Sequence, residues 1–262
     1  MSEQPSFATN RPNTPPQQVV ASPLPSMPAY YKNAKEKSQF ISSMFDDTAP
    51  DYDRMERLLG LGSGSWYRGQ ALLRAGLESG KSVIDVAVGT GLVAREAVRI
   101  VGDPTLVTGV DPSPGMLSSA KVPAGVRLVE GRAEEIPFPD ESFEFLSMGY
   151  ALRHITDLSA AFNEFHRVLK PGGRICILEI TTPKGRFAKT LLKMYMRGIV
   201  PTLGQLFARS GDTGKLWRYY WDTIEACVPP ESVVATLEAS GFKNVRRMLN
   251  QGIFSEYQAS KE

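Results

Sequence analysis

The stretch Ser82-Val83-Ile84-Asp85-Val86-Ala87-Val88-Gly89-Thr90-Gly91 decides how the rest of the chain is read. Its first seven residues are rich in β-branched apolar side chains without a period-two alternation, the pattern of a short strand buried on both faces. Glycines close it, and Leu92–Ile100 resumes with helical spacing, so the unit is strand, tight loop, helix. Outward from there, Leu106–Val110 is a second strand ending at Asp111, Met116–Lys121 continues a helix, Val126–Val129 is a third strand and Phe143–Met148 a fourth. Ala160–Leu169 is an amphipathic helix stopped by Pro171-Gly172-Gly173, and Arg174–Ile180 is the fifth strand. Asn244–Leu249 and Ile253–Ala259 read as a closing hairpin turned by Asn250-Gln251-Gly252. Strands alternating with helices predict an α/β fold: a doubly wound, mostly parallel sheet of seven strands, covered on both faces.

The flanks are different. Phe40, Ile41, Met44 and Phe45 are spaced to share a helical face, and Met55–Ala75 predicts one or two further helices broken at Gly60, Gly62 and Gly64. Together they form an N-terminal helical cover. A helical insertion, 181–228, follows strand five, and Pro230–Gly241 is a helix with a glycine stop. Residues 1–30 are crowded with Pro, Gln, Ser and Asn and have no apolar face, so they are expected to be a disordered tail ahead of one domain, 31–262.

Composition narrows the classes. With 262 residues the chain can bury one sizeable core, and 42% hydrophobic with 22% charged residues is ordinary for a globular protein. A formal net charge of +2 gives no electrostatic case for nucleic acid. Only Cys176 and Cys227 occur, without metal-ligand spacing, so no metal site is expected and a reducing cytoplasmic compartment suits them. No apolar run approaches the ~18 residues of a membrane-spanning helix.

Glycines at the strand-to-helix turn let the backbone pass close to a bound nucleoside. Alone, Gly89 and Gly91 are a weak sign. Asp111 strengthens it, because it ends the second strand twenty residues beyond Gly91, about where an acid reaches ribose hydroxyls. Asp85, four residues before Gly89, argues about the rest of the ligand. An acid so near the loop repels a pyrophosphate but suits an amino group, which favours S-adenosylmethionine over a dinucleotide.

Several runs then resemble a known family. Ile84–Gly91, Val110–Met116 (VDPSPGM), Ala133–Asp140 (AEEIPFPD) and Arg167–Gly173 (RVLKPGG) are similar to the Rossmann-like small-molecule methyltransferases. Met44–Met55 (MFDDTAPDYDRM), Ala151–Asp157 (ALRHITD) and Trp217–Ile224 (WRYYWDTI) narrow the resemblance to the C-methyltransferases of ubiquinone and menaquinone biosynthesis. The resemblance implies an S-adenosylmethionine-dependent enzyme acting on a small aromatic or prenylated quinol. It implies cofactor contacts from Thr90, Asp111, Met116 and the pair Arg132-Ala133, with Gly149 where the family has Ser, and closure over the cofactor by Tyr52. Arg132 departs from the usual Asn or Asp, and a guanidinium cannot accept a hydrogen bond from adenine. His154 stands where the family has Asn.

A ring carbon becomes nucleophilic when a neighbouring hydroxyl loses its proton, so a base is sought near the end of strand four. Arg153 and His154 are the candidates there: Arg153, which the resemblance favours, by lowering a phenol pKa or orienting a water, and His154 as the base or as a helix-capping loop residue. His166, the only other histidine, is read as packing and Asp157 as a helix cap.

In the insertion, Arg186, Lys189, Lys193 and Arg197 recur at helical intervals, while Phe187, Leu191, Met194 and Tyr195 share another face. That pattern suits a plain surface helix, a lid over an isoprenoid tail, or a helix lying on an anionic inner-membrane surface. Trp217, Tyr219, Tyr220 and Trp221 are too aromatic for a solvent helix and are expected in a substrate pocket or a homodimer contact. Two other functions stay open: a methyltransferase with a different acceptor, and a non-catalytic adenosine-binding scaffold.

Overall fold

A computed structural model describes residues 22–25, 27–59, 63–200, 202 and 213–262. The strands are β1 (Val83–Val86), β2 (Val107–Asp111), β3 (Arg127–Glu130), β4 (Phe143–Gly149), β5 (Leu169–Ile180), β6 (Lys243–Asn250) and β7 (Phe254–Ser260). They form one sheet in the order β3-β2-β1-β4-β5-β7-β6. β1 pairs in parallel with β2 and β4, β3 with β2 and β5 with β4, while β7 runs antiparallel to both β5 and β6. The order reverses between β1 and β4. In open α/β sheets that switch point is where a crevice opens at the C-terminal strand ends.

The helices that matter for the site are α1 (Ala34–Leu59), α2 (Ser63–Arg74), α3 (Leu92–Val101), α4 (Pro114–Ser118) and α5 (Leu158–Val168), followed by α6 (Arg186–Met194), α7 (Thr213–Ala226) and α8 (Pro230–Ala239). All four residues of β1 are buried, as its apolar texture on both faces requires, Asp85 among them. One face of the sheet packs Ile84, Val86, Leu146 and Met148 against Phe162 and Phe165 of α5 and Leu237 of α8. The other face packs Val83, Val107 and Phe145 against Leu72 of α2 and Ala94 and Ala97 of α3. Tyr31, Met44, Met196, Tyr219 and Trp221 form a third cluster, in which α1 meets the insertion.

Three details depart from the sequence reading. The helix ahead of strand five ends at Val168, and Leu169 already pairs with Phe143, so Pro171-Gly172-Gly173 is not the helix stop. It forms a bulge inside β5, where the register jumps from Phe143–Leu169 to Phe145–Arg174, and Lys261 clasps it through its backbone to Gly172 and Gly173. Gly64 lies inside α2 rather than breaking it; Gly60 and Gly62 lie outside the described residues. The expected disorder of 1–30 does not extend over its described part. Leu24 is buried, the Val228 N–H donates to Pro23 O, and the Tyr30 hydroxyl donates to Asp222 at 2.7 Å. The apolar residues scattered among the prolines, too few for a helical face, still suffice to strap the segment onto α7; residues 1–21 lie outside the described residues.

Other readings hold locally. Gln251 and Gly252 have φ of 51° and 75°, the left-handed pair of a tight hairpin turn. Asp157 caps α5 by accepting from the Ala160 N–H, and His166 packs edge-on against Phe242.

Candidate active site

At the switch point a cavity of about 530 Å³ opens over the ends of β1, β2 and β4. Its wall gathers Asp85, Gly89, Thr90, Asp111, Met116, Arg132, Ala133, Gly149 and His154 from four separate stretches of sequence. Gly91 and Arg153 are not part of that wall. Tyr52 lies on α1, but its side chain is outside what is described.

The glycine loop is shaped by local sterics. Gly91 has φ of 88°, and a Cβ there would meet Val122 Cγ1 at 2.3 Å, so the position admits neither another backbone region nor a side chain. Gly149 is explained in the same way. A Cβ on it would approach Val93 Cγ2 to 2.6 Å, so Val93 fills the space that the family's Ser side chain would need.

Asp111 is nearly buried, with one oxygen accepting from the Gly89 N–H at 2.8 Å and the other from the Ser113 N–H at 2.9 Å. Burial nonetheless pushes its pKa up to about 6, helped by the charge of Asp46. Asp85 is 1% exposed; its Oδ1 accepts from the Ser147 hydroxyl at 2.7 Å, and its Oδ2 accepts no hydrogen bond. Burial raises its pKa to about 7, with Asp111 adding to the rise and the Ser147 hydroxyl, the Ala94 backbone N–H and the charge of Arg68 opposing it. A buried oxygen left without a donor, facing a cavity, is a place prepared for a ligand's donor.

The cover helix α1 is fastened to the same loops. Thr90 gives its hydroxyl to Asp53, which also receives Arg95 at 3.3 Å. Asp46 accepts from the Ser113 hydroxyl and from the Gly115 N–H at the start of α4. Thr90 is therefore committed to α1 through its side chain, and only the rest of the residue is left for a ligand. Arg132 bridges Glu134 and Thr156 at the rim, 3.6 Å and 3.3 Å away, an arrangement that leaves base reading to other groups.

At the far end the wall turns apolar and aromatic, with Ile41, Phe45, Ile155 and Tyr220 around His154. The imidazole stacks on Tyr219, with ring centroids 5.6 Å apart, and meets Phe45 edge-on. Its Nδ1 lies 3.4 Å from the Tyr219 hydroxyl, and its Nε2 has no partner. Burial, with the charges of Arg153 and Lys37, holds it well below the usual histidine range, so the ring is neutral at pH 7. Arg153 is 2% exposed and turned away from the cavity. It pairs with Glu179, donates to Tyr150 O and Thr223 Oγ1, and lies 5.0 Å from the Tyr220 ring centroid. Its guanidinium is engaged with these neighbours and does not line the cavity. Of the aromatic run, Tyr220 lines the cavity, while Tyr219 and Trp221 are buried in the cluster where α1 meets the insertion; the Trp217 side chain lies outside what is described.

Residues 32–261 match the ubiE/COQ5 methyltransferase family. This chain belongs to that family. Among curated relatives, the ubiquinone/menaquinone biosynthesis C-methyltransferase UbiE of Geobacter sulfurreducens is 34% identical over 234 residues, covering 86% of this chain and 90% of the relative. The demethylmenaquinone methyltransferase of Chlorobaculum tepidum is 36% identical over 208 residues, covering 78% and 84%. A SAM-dependent methyltransferase of Thermotoga maritima shares the fold, with a TM-score of 0.60 at 20% identity over 85% of this chain and all of that one. As a ubiE/COQ5 member the chain is an S-adenosylmethionine-dependent methyltransferase. Among the described residues no helix is long and apolar enough to cross a membrane.

The sequence reading missed Arg68, Glu134, Asp46 and Asp53, all of which border or brace this cavity. The contacts that place Asp46 and Asp53 span 67 and 37 residues of chain, too far for any local pattern to reveal.

Proposed function

We propose that the chain methylates a ring carbon of a quinol or similar hydroxylated aromatic, at the cavity end lined by Phe45, Tyr220 and His154. The single observation carrying this reading is the unpartnered, enclosed Nε2 of a neutral His154 among aromatic rings. Relatives named for demethylmenaquinone and for ubiquinone/menaquinone biosynthesis support the same acceptor class.

The buried Asp85 Oδ2 and the doubly anchored Asp111 fit the cofactor's amino group and ribose hydroxyls. When bound, the cofactor supplies a methyl group made electrophilic by its sulfonium. Asp111, Gly89, Met116 and Ala133 hold the nucleoside, and Asp85 holds the amino end. His154 takes the proton of a quinol hydroxyl at Nε2, which raises electron density at the adjacent ring carbon, while Nδ1–H is donated to the Tyr219 oxygen. As aromaticity returns, the ring hydrogen leaves as a proton to the ring oxygen through solvent, and His154 gives up its own proton to solvent when the product departs. Ile41, Phe45 and Tyr220 exclude water and orient the ring, and Arg153 fixes the loop that carries His154.

A bilayer contact belongs to the same proposal. On α6 the apolar side chains face outward, with Phe187, Leu191 and Met194 being 84%, 56% and 59% exposed. Lys189 and Arg197 pair instead with Glu225 and Asp222 of α7, so it is the apolar face that is free to enter a bilayer. A prenylated acceptor would reach the cavity from that side.

The test incubates the protein with methyl-labelled S-adenosylmethionine and a reduced demethylmenaquinol analogue, then locates the label by NMR. Label on a ring carbon is the expected result. Label on oxygen, or none with every hydroxylated aromatic tried, overturns it.

A further inference from the structure

The cover helix α1 carries a lysine where its inward face calls for an apolar side chain. Lys37 stands four residues before Ile41 and seven and eight before Met44 and Phe45, which pack into the cluster under the insertion. It is 5% exposed, and an ammonium buried there is unfavourable unless partners meet it. Its Nζ donates to the Ile155 carbonyl at 2.9 Å, 118 residues along the chain. The N–H of that same peptide unit, belonging to Thr156, donates to Glu134 Oε1 at 2.7 Å. The peptide joining Ile155 to Thr156 thus lies between an ammonium and a carboxylate, each bonded to the end of the dipole that suits its charge. Glu134, Ile155 and Thr156 line the cavity beside His154. On the other side of that imidazole Arg153 is tied to Glu179 of β5.

We propose that Lys37 is a positioning residue for the acceptor: together with Glu134 it fixes the peptide beside His154 and so sets the imidazole against the ring to be methylated. This rests on His154 being the base proposed above. The same helix holds Thr90 through Asp53, and Ser113 and Gly115 through Asp46. The donor loops and the acceptor loop are therefore registered against one rod, as an in-line transfer requires. Lys37 acts on the ring by charge as well. The charged and titratable groups facing His154 are Lys37 from α1, Arg153 in its own loop with Glu179 behind it, and Tyr219 and Tyr220 from α7. Burial first, then Arg153 and Lys37, disfavours the imidazolium. Burial also pushes the Lys37 ammonium below its ordinary range, with the charges of Glu134 and Cys227 opposing, so Glu134 helps to keep the lysine charged.

The chain has two histidines, so NMR follows each imidazole through a pH titration once His154→Phe has told their signals apart. In the unaltered protein His154 should stay unprotonated well below the ordinary 6.5. Lys37→Gln removes the charge, and its His154 midpoint should move up toward 6.5, whereas Lys37→Arg should leave the midpoint where it was. At pH 8 the ring is unprotonated in every variant, so kcat there reads position alone. It should fall about ten- to hundredfold in Lys37→Gln and largely recover in Lys37→Arg. S-adenosylhomocysteine affinity should stay within about twofold throughout, because Asp46 and Asp53 still fasten α1. A lysine that only fills space would cost rate or stability and leave the titration unmoved, and that result overturns the proposal. So does a Lys37→Arg protein whose midpoint shifts as far as that of Lys37→Gln. An unaltered protein whose His154 titrates at 6.5 or above overturns it without any variant having to fold. The titration needs no turnover, so it is judged apart from the base itself, which stands or falls on the rate of His154→Phe.

Discussion

The N–H of Gly89 donates to Oδ2 of Asp111 at 2.8 Å, joining the loop after the first strand to the end of the second. The Ser113 N–H occupies the other oxygen at 2.9 Å. Each oxygen thus accepts one backbone donor and keeps lone-pair capacity for another. The two segments are already set relative to each other, so the ribose contact proposed for Asp111 would need no reorganisation.

Asp111→Asn tests this geometry more sharply than truncation does. An amide has only one oxygen, so its NH2 must face either the Gly89 or the Ser113 N–H. S-adenosylhomocysteine affinity should fall by at least about a hundredfold, and stability by about 1–3 kcal/mol, by titration calorimetry and denaturant unfolding. Unchanged affinity would remove Asp111 from the site.

The ammonium contact proposed for Asp85 would make binding proton-linked. With its pKa at about 7, the carboxyl is partly protonated at pH 6.5 in the empty site, and an incoming ammonium favours the ionised form. Binding should therefore release a fraction of a proton, read from the dependence of calorimetric enthalpy on buffer ionisation heat. Affinity should weaken as pH falls from about 7 toward 6. For the ligand-free fold the sign is opposite: a raised carboxyl pKa contributes stability below its ordinary value of 3.8, lost as pH rises toward about 7. Asp85→Asn should cancel both slopes; a variant with the same proton release places the linkage elsewhere.

The parts of this design that the sequence discloses are those built from neighbours in the chain. β1 is legible because its four residues are buried on both faces, and Asp111 because it ends the next strand, one helix after the glycine loop. What stayed hidden is made by contacts across long stretches. Arg153 reads as a loop residue beside a substrate until Glu179, 26 residues on, claims its guanidinium. The strap at Pro23 and Leu24 is invisible because its partner, Val228, lies at the other end of the insertion. Arg68 alone left a local trace, in its place on the buried stripe of α2.

Asp53 closes the cover. Its carboxylate holds both Thr90 and Arg95, so Asp53→Ala should loosen α1 from the glycine loop without touching the cavity wall. Hydrogen exchange along Ala34–Leu59 should rise, and S-adenosylhomocysteine should dissociate several-fold faster by stopped flow. If exchange is unchanged, the apolar face around Met44 holds the helix alone.

The Arg153–Glu179 pair answers to a stability cycle. Both side chains are under 5% exposed, with values of 3% and 2%. Removing either partner strands a buried charge, which costs about 3–5 kcal/mol. Arg153→Met and Glu179→Gln should each lower the denaturation midpoint, and the double variant should recover a large part of the loss. Additive losses would mean that the two charges act on separate neighbours.

His154 is the residue on which turnover should depend most. Held well below its usual pKa by burial and by the charges of Arg153 and Lys37, it stays unprotonated into acidic solution. A base of ordinary pKa would halve the rate near pH 6.5; here kcat should stay level through that region and decline only at lower pH. His154→Phe keeps the aromatic packing against Tyr219 and Phe45 but removes the lone pair, so kcat should drop by about 10²- to 10⁴-fold with S-adenosylhomocysteine affinity little changed. Tyr219→Phe should cost less, because it removes only the weak 3.4 Å contact that orients the imidazole. A His154→Phe enzyme of normal rate would mean that the hydroxyl proton leaves to water and that the imidazole is packing alone. A rate that halves at pH 6.5 would mean that the cavity opens to solvent around the ring during turnover.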